Sequence, residues 1–316
     1  MQSKLMDKKN LLQKMKMSIA ELEEYHRKQR SISYEKNEPI KGIRWRQKIH
    51  FLLILGLGLS RLISGEKLCI VRDEHINTGK PLIYAATHIG WHDAEITFAA
   101  IKSHAYALWG DPRELYKRIE MLLLSLNGTV CCDSAYRDDC RIAKETCIRL
   151  LRQGGSLLIF PEGAWNIIEN QVVMPLFPGA AEIAIRSECE IVPVALEHYD
   201  KHYYVNIGKN IDLCRYKLSQ KKEASEHLRD TLCTLKWEIW ERYGKTLRKN
   251  IPEGYSEMFL AQYEAQTDEA YTIEDICNTR YHSRIASPEE VFNFVFDLKP
   301  CRENAFLFRG NMRNTE

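Results

Sequence analysis

Residues 82–87, LIYAAT, have the length and the apolar, aromatic composition of a buried β-strand, and six further runs along the chain are of the same kind. These runs are KLCIV at 67–71, AYALW at 105–109, TVCC at 129–132, SLLIF at 156–160, IVPVAL at 191–196 and YYVNIG at 203–208. Helical stretches alternate with them at 92–102, 113–126, 137–153 and 179–187. This alternation predicts an α/β fold, with a mixed, mostly parallel sheet flanked by helices.

Three parts are predicted around this sheet. Residues 65–215 contain all seven runs, residues 1–64 form N-terminal amphipathic helices, and residues 216–316 form a C-terminal helical extension. The extension begins with a helical segment at 219–247, and its apolar pattern weakens beyond Pro252.

The N-terminal part contains two amphipathic features. Apolar residues recur at steps of four, four and three, which predicts a helix that packs on a membrane, on its own domain or on a second copy: Leu11, Met15, Ile19 and Leu22. The apolar run FLLILGLGL at 51–59 follows a basic stretch that contains Trp45. This run is shorter than the roughly 20 apolar residues of a spanning helix, so it is predicted to lie in an anionic membrane surface. The alternative is a buried core helix.

Composition limits the function classes. The formal net charge is +2 and no readable nucleic-acid motif accompanies the basic residues, so nucleic-acid binding is not expected. Ten scattered cysteines include no Cys-x-x-Cys pair and no zinc-like spacing, which favours reduced thiols in an intracellular protein without a structural metal. The first long apolar run begins too late for a signal peptide. The predicted location is the cytoplasmic face of the cell membrane, as a peripheral or monotopic protein.

The segment from His88 to Asp93, HIGWHD, follows the run at 82–87 and opens the next helix. A turn that folds back would pair the histidine with the aspartate, which fixes the imidazole tautomer and stabilises the imidazolium. Such a pair suits removal of a proton from an alcohol that attacks a thioester. His92 is a rival base, and Asp93 could instead be a helix cap beside a packed histidine.

The tetrapeptide Phe160-Pro161-Glu162-Gly163 closes the run at 156–160. Proline ends strand pairing and glycine permits close backbone approach, so an ordinary strand-ending turn is one interpretation. In the other, Glu162 joins His88 outside the carboxyl ends of neighbouring strands, where ligand sites of α/β sheets gather.

These features, in this order, resemble the glycerophospholipid (1-acyl-sn-glycerol-3-phosphate or lysophospholipid) acyltransferase family. That family has His-x4-Asp, a Gly- and Arg-containing block, Phe-Pro-Glu-Gly and an apolar-Pro-apolar block, which matches IVPVA at 191–195. PLFPGAA at 175–181 is similar to the glycine-containing helix start that follows Phe-Pro-Glu-Gly in the family. The resemblance covers about residues 41–215.

The resemblance implies that His88 is the general base and Asp93 its orienting partner, with Glu162 and Gly163 at the acceptor site. It implies a lysophospholipid acceptor and acyl-CoA or acyl carrier protein as co-substrate, with no cofactor. Where the family usually has Asp-Arg in the second block, this chain has Asp133-Ser134. Arg137 is therefore expected to hold the acceptor's phosphate, unless it is an exposed arginine at a helix start.

The predicted function is transfer of a fatty acyl group to 1-acyl-glycerol-3-phosphate, giving phosphatidic acid. The altered second block leaves open an amine or aminolipid acceptor. A third possibility is an inactive membrane-bound scaffold that keeps the fold.

Overall fold

The protein, a computed structural model, is described here for residues 13–14, 16–110, 124–169, 171–244, 251–265, 267, 272–274 and 276. Within these residues, seven strands form one sheet: β1 (Lys67–Asp73), β2 (Ile83–Ala86), β3 (Tyr106–Trp109), β4 (Thr129–Cys131), β5 (Leu157–Ile159), β6 (Ile191–Tyr199) and β7 (His202–Ile207). The helices are α1 (Ile19–Glu35), α2 (Ile43–Ser64), α3 (Asp93–Ile101), α4 (Arg137–Arg152), α5 (Gly179–Ser187), α6 (Lys221–Tyr243) and α7 (Tyr255–Glu264).

The strand order is β1-β7-β6-β2-β5-β3-β4. All neighbouring pairs are parallel except β6 and β7, which run antiparallel. The sheet is therefore mixed and mostly parallel, and the predicted fold class is confirmed. Of the predicted helix at 113–126, residues 113–123 lie outside the described residues.

Burial of both sheet faces explains why the strands are almost continuously apolar. Within β2, Ile83 and Ala85 join a core cluster with α4, α5 and α6, whereas Tyr84 and Ala86 join a second cluster with α3. Successive side chains of a strand point to opposite faces, so β2 contributes to both cores. This central strand delivers the turn that follows it to the carboxyl edge of the sheet.

Helix α1 packs against its own domain. A reciprocal cap starts it, in which Ser18 Oγ accepts from the Glu21 N–H and the Glu21 carboxylate accepts from the Ser18 N–H. Arg30 then forms two hydrogen bonds with Asp139 on α4, at 2.8 and 3.0 Å. Of the predicted apolar stripe, Leu11 and Met15 lie outside the described residues. Helix α1, which begins at Ile19, contacts its own domain, one of the three partners left open.

Helix α2 carries a row of exposed apolar side chains, including Leu55 (68% exposed) and Leu62 (76% exposed). Its inner side is fixed to the domain, because His50 Nδ1 lies 2.8 Å from Asn127 Oδ1. The helix extends beyond the apolar run to 22 residues, and it is the one helix in the described part of the chain that is long and apolar enough to cross a membrane.

Candidate active site

His88 and Asp93 form the pair that their spacing predicts. The turn after β2 folds back on the start of α3, and His88 Nδ1 lies 2.7 Å from Asp93 Oδ2. The same oxygen accepts the Gly90 N–H at 2.9 Å and the Ile89 N–H. Asp93 is 2% exposed. A buried carboxylate at a helix N-terminus that accepts several N–H groups is well stabilised as an anion.

This pairing leaves the other ring nitrogen available. Because Nδ1 faces a carboxylate, it is assigned the proton, which leaves a lone pair on Nε2 of the neutral ring. Within the described ranges no hydrogen bond involves His88 Nε2, and the side chain is 20% exposed. The nitrogen can therefore accept a proton from a hydroxyl group that reaches the turn.

The main chain of His88 is held on both sides. Its N–H donates to Glu162 Oε1 at 2.9 Å, and its carbonyl accepts the Asn166 N–H at 2.8 Å. The second oxygen of Glu162 accepts the Met174 N–H at 2.8 Å. Glu162 is fully buried, and burial raises the pKa of its carboxyl, although Lys236 and these hydrogen bonds act in the opposite direction.

Glu162 thus lies behind the histidine and fixes its backbone. Both carboxylate oxygens already accept backbone N–H groups, so the carboxylate supports the base through the main chain. Its predicted place at the acceptor site stays a prediction. The sequence offers no signal for this backbone role, because the partner Met174 lies in a segment without a readable pattern.

Gly163 occupies a position that requires glycine. Its φ is +76°, a left-handed conformation, and a Cβ there would lie 2.4 Å from Cε2 of Phe177. The Phe177 N–H also donates to the Pro161 carbonyl at 2.9 Å, which closes the turn. Phe177 is therefore a packing residue of this turn, and the acceptor-binding role of Gly163 stays a prediction.

Gly163→Ala is expected to lower the free energy of unfolding by about 2–4 kcal/mol, combining left-handed strain with overpacking against the Phe177 ring. Denaturant unfolding measures this change. Gly179→Ala is the control, since an added Cβ there meets nothing within 4 Å. Equal stability of the two variants would contradict the close approach.

Aromatic rings line the site around His88. The imidazole stacks on Phe160 with ring centroids 4.4 Å apart, and Trp165 lies edge-on at 6.4 Å. Trp165 is 3% exposed and packs with Trp91 and Tyr263 in a small apolar cluster. Both tryptophans therefore pack in this cluster, and α7 contributes Tyr263 from outside the predicted catalytic part.

His92, the rival base, points elsewhere. Its Nδ1 lies 3.1 Å from Glu95 Oε2, a hydrogen bond that raises the pKa of the imidazole, and its side chain is 52% exposed. It borders a small polar cavity of about 40 Å³ that also touches Asp93, Glu197 and Tyr203. The carboxylate that orients His88 is thus not the partner of His92.

The second block contacts α1. Asp133 Oδ2 lies 3.0 Å from Arg27 Nη1, and the Asp133 N–H donates to Asp139. The Arg27 guanidinium also lies over the ring of Tyr136, 3.7 Å from its centroid. Arg137 begins α4 with an exposed side chain, and its phosphate role stays a prediction. No pattern in the sequence indicates the role of Arg27, because a charged helix face does not identify its partner.

Three comparisons with known proteins bear on this site. Residues 67–197 match the protein-family model described as Acyltransferase. Among solved structures, the chain is similar to the 1-acyl-sn-glycerophosphate (LPA) acyltransferase PlsC from Thermotoga maritima, with a TM-score of 0.52 and 17% sequence identity. That alignment covers 63% of this chain and 83% of PlsC. The comparison with curated proteins found no matching sequence.

The family match spans both halves of the pair and the turn that holds it, from β1 into β6. The likeness to PlsC supports the mixed α/β architecture. The resemblance noted in the sequence is confirmed at the level of the family match: residues 67–197 form an acyltransferase domain with the fold of PlsC, and the chain is an acyltransferase enzyme.

Proposed function

We propose that this enzyme transfers a fatty acyl group from an acyl thioester, acyl-CoA or acyl carrier protein, to the free hydroxyl of a lysophospholipid. The first candidate acceptor is 1-acyl-glycerol-3-phosphate, which would give phosphatidic acid. The observation that carries the proposal is the hydrogen-bonded pair of His88 and Asp93. This pair leaves the lone pair of His88 Nε2 available, and the imidazole stacks on the ring of Phe160. The likeness to PlsC, a 1-acyl-sn-glycerophosphate acyltransferase, supports the choice of acceptor.

The proposed mechanism needs one base and no covalent intermediate on the enzyme. His88 Nε2 takes the proton of the acceptor hydroxyl as its oxygen attacks the thioester carbonyl. Asp93, already hydrogen-bonded to Nδ1, balances the imidazolium that forms. Collapse of the tetrahedral intermediate forms the ester and expels the thiolate, which takes the proton from the His88 imidazolium, so that the free thiol leaves and the neutral base is restored.

The test is thiol release from palmitoyl-CoA and from acyl carrier protein loaded with palmitate, with and without 1-acyl-glycerol-3-phosphate. Release that depends on the acceptor, with phosphatidic acid formed in equal amount, supports the proposal. No acceptor-dependent release with either donor would rule out the lysophosphatidic acid assignment.

A second candidate acceptor is an amine or aminolipid. Ser134 stands where the family usually has arginine, and Arg137 is exposed at the start of α4. An amine needs no phosphate-binding guanidinium. Amide formation with lyso-ornithine-type lipids, in competition with the phosphate acceptor, separates the two candidates.

We also propose that the exposed row of α2 binds an anionic membrane surface, at the cytoplasmic face of the cell membrane. Phe51, Leu55, Leu59 and Leu62 all point away from the domain, with exposures from 59% to 76%. Arg44 and Lys48 lie just before this row in the sequence, and their positive charges would attract anionic lipid head groups. A lipid-soluble acceptor would reach the site from the same surface.

The double variant Leu55→Glu/Leu62→Glu is expected to reduce binding to vesicles of phosphatidylglycerol by more than about tenfold. Each exposed leucine contributes on the order of 1.5 kcal/mol or more when buried, and each carboxylate adds a cost in the apolar layer. Flotation measures the bound fraction. Leu218→Glu, at an exposed leucine outside α2, is the matched control. Unchanged binding of the double variant would rule out α2 as the anchor.

Truncation is a poorer test of the anchor. Arg46 donates to the carbonyls of Ser125 and Leu126, and Ile43 is buried in the core. Removal of residues 1–64 would therefore expose part of the domain core, and altered binding could not be assigned to the membrane surface.

A further inference from the structure

Helix α6 lies outside residues 67–197, yet it reaches the back of the active site through Arg229. The Arg229 Nη2 donates to the Val173 carbonyl at 2.9 Å, and Nε lies 3.1 Å from that carbonyl and 3.2 Å from the carbonyl of Met174. Val173 is fully buried and Met174 is 3% exposed. Hydrogen bonds from a charged guanidinium are stronger than those between neutral groups.

The guanidinium of Arg229 donates to backbone carbonyl groups. In the part of the chain that the structure describes, Arg229 forms no salt bridge with a carboxylate. Its donors serve two consecutive carbonyl groups of one buried segment. The guanidinium therefore fixes where this segment lies and how its peptide planes are oriented.

The same segment leads directly to the base. The Met174 N–H donates to Glu162 Oε2 at 2.8 Å, and Glu162 Oε1 accepts the His88 N–H at 2.9 Å. The hydrogen-bonded path therefore runs from Arg229 through Met174 and Glu162 to the backbone of His88. Because Glu162 is fully buried, it has no room to reorient without losing one of these bonds.

A second cation of α6 acts on the same carboxylate. Lys236, seven residues after Arg229 and so on the same helix face, is 2% exposed and lies 3.2 Å from Glu197. Its charge lowers the pKa of Glu162 and opposes the effect of burial. Burial still raises the pKa of Glu162 overall, and Lys236 acts against that rise, toward the ionised form that accepts both backbone N–H groups.

We propose that Arg229 is a positioning residue of the acyl transfer: it holds the segment at Val173 and Met174, and through Glu162 it keeps His88 in line with the acceptor hydroxyl. The inference rests on the proposed function, in which His88 is the base. Because the path ends on the main chain of the base, the effect is expected to fall on kcat more than on KM.

The experiment compares full-length wild type with Arg229→Met, Arg229→Lys and the control Arg242→Met. Arg242 is an exposed arginine of the last turn of the same helix. For Arg229→Met, kcat is expected to fall about 10- to 100-fold, since a misplacement of about 1 Å can cost 100-fold. Its KM stays close to that of wild type. Arg229→Lys restores part of kcat, and the control keeps all of it.

A second readout does not require turnover. Hydrogen exchange of the amides of His88 and Met174, both held by Glu162, is expected to be at least about tenfold faster in Arg229→Met than in the control. Exchange in β7 stays unchanged. If Arg229→Met does not fold, Arg229→Lys takes its place in both measurements, with smaller effects in the same direction.

Wild-type kcat in Arg229→Met, or unchanged exchange at these amides, would overturn the proposal. A different pattern marks failure of the proposed function: wild type and His88→Gln would then release thiol equally. In that case the exchange comparison still decides whether Arg229 holds the backbone of His88.

Discussion

His88→Gln is expected to lower kcat/KM by about 10²- to 10⁴-fold, the range for removal of a general base. Glutamine keeps a polar side chain of similar length, and the backbone hydrogen bonds of His88 to Glu162 and Asn166 do not involve the ring. The variant therefore folds, but no imidazole takes the proton of the acceptor. Thiol release at saturating donor, with and without acceptor, measures the loss.

The control is His92→Gln, because His92 is the rival base and is paired with Glu95. It is expected to retain nearly wild-type kcat/KM. The reverse pattern, with an active His88→Gln and an inactive His92→Gln, would assign the base to the exposed histidine beside the polar cavity.

Asp93→Asn is expected to lower kcat/KM by about 10²-fold or more, since a neutral amide cannot balance the imidazolium. The amide oxygen can still accept the Ile89 and Gly90 N–H groups, so most of the turn survives. The hydrogen bonds lose their charge assistance, which is worth about 1 kcal/mol or more of stability. Kinetics and denaturant unfolding are therefore measured together.

Glu95→Gln separates the effect of Asp93 from a general loss of negative charge in the first turn of α3. Glu95 is in the same helical turn, and its described partner is His92. It is expected to keep wild-type turnover. If Asp93→Asn also kept it, Asp93 would be a helix cap without a part in the reaction.

The sheet could be predicted because its signal is local. Seven runs of apolar residues correspond to seven strands, and burial on both faces makes such runs conspicuous. The pairing of His88 with Asp93 could also be predicted from the sequence, since the short spacing within one turn limits where the two side chains can lie. The strand order, in contrast, depends on contacts between distant segments.

Two other contacts of the site could not be predicted from the sequence, for physical reasons. The contact of Arg27 with Asp133 joins residues more than a hundred positions apart, and ionic groups carry no periodic pattern that names a partner. The bond from Met174 to Glu162 is made by a backbone N–H, which every residue except proline possesses. The identity of residue 174 therefore does not reveal the hydrogen bond from its N–H to Glu162.

The oxygen of Asp93 that faces His88 also closes the turn, since it accepts three donors within five residues. One added residue in this non-helical turn would move the carboxylate out of reach of the imidazole and of the two N–H groups, and all three contacts would be lost together. The interval of four residues is thus dictated by the geometry of the turn. Unrelated chains that place a histidine between a parallel strand and a helix could converge on the same interval.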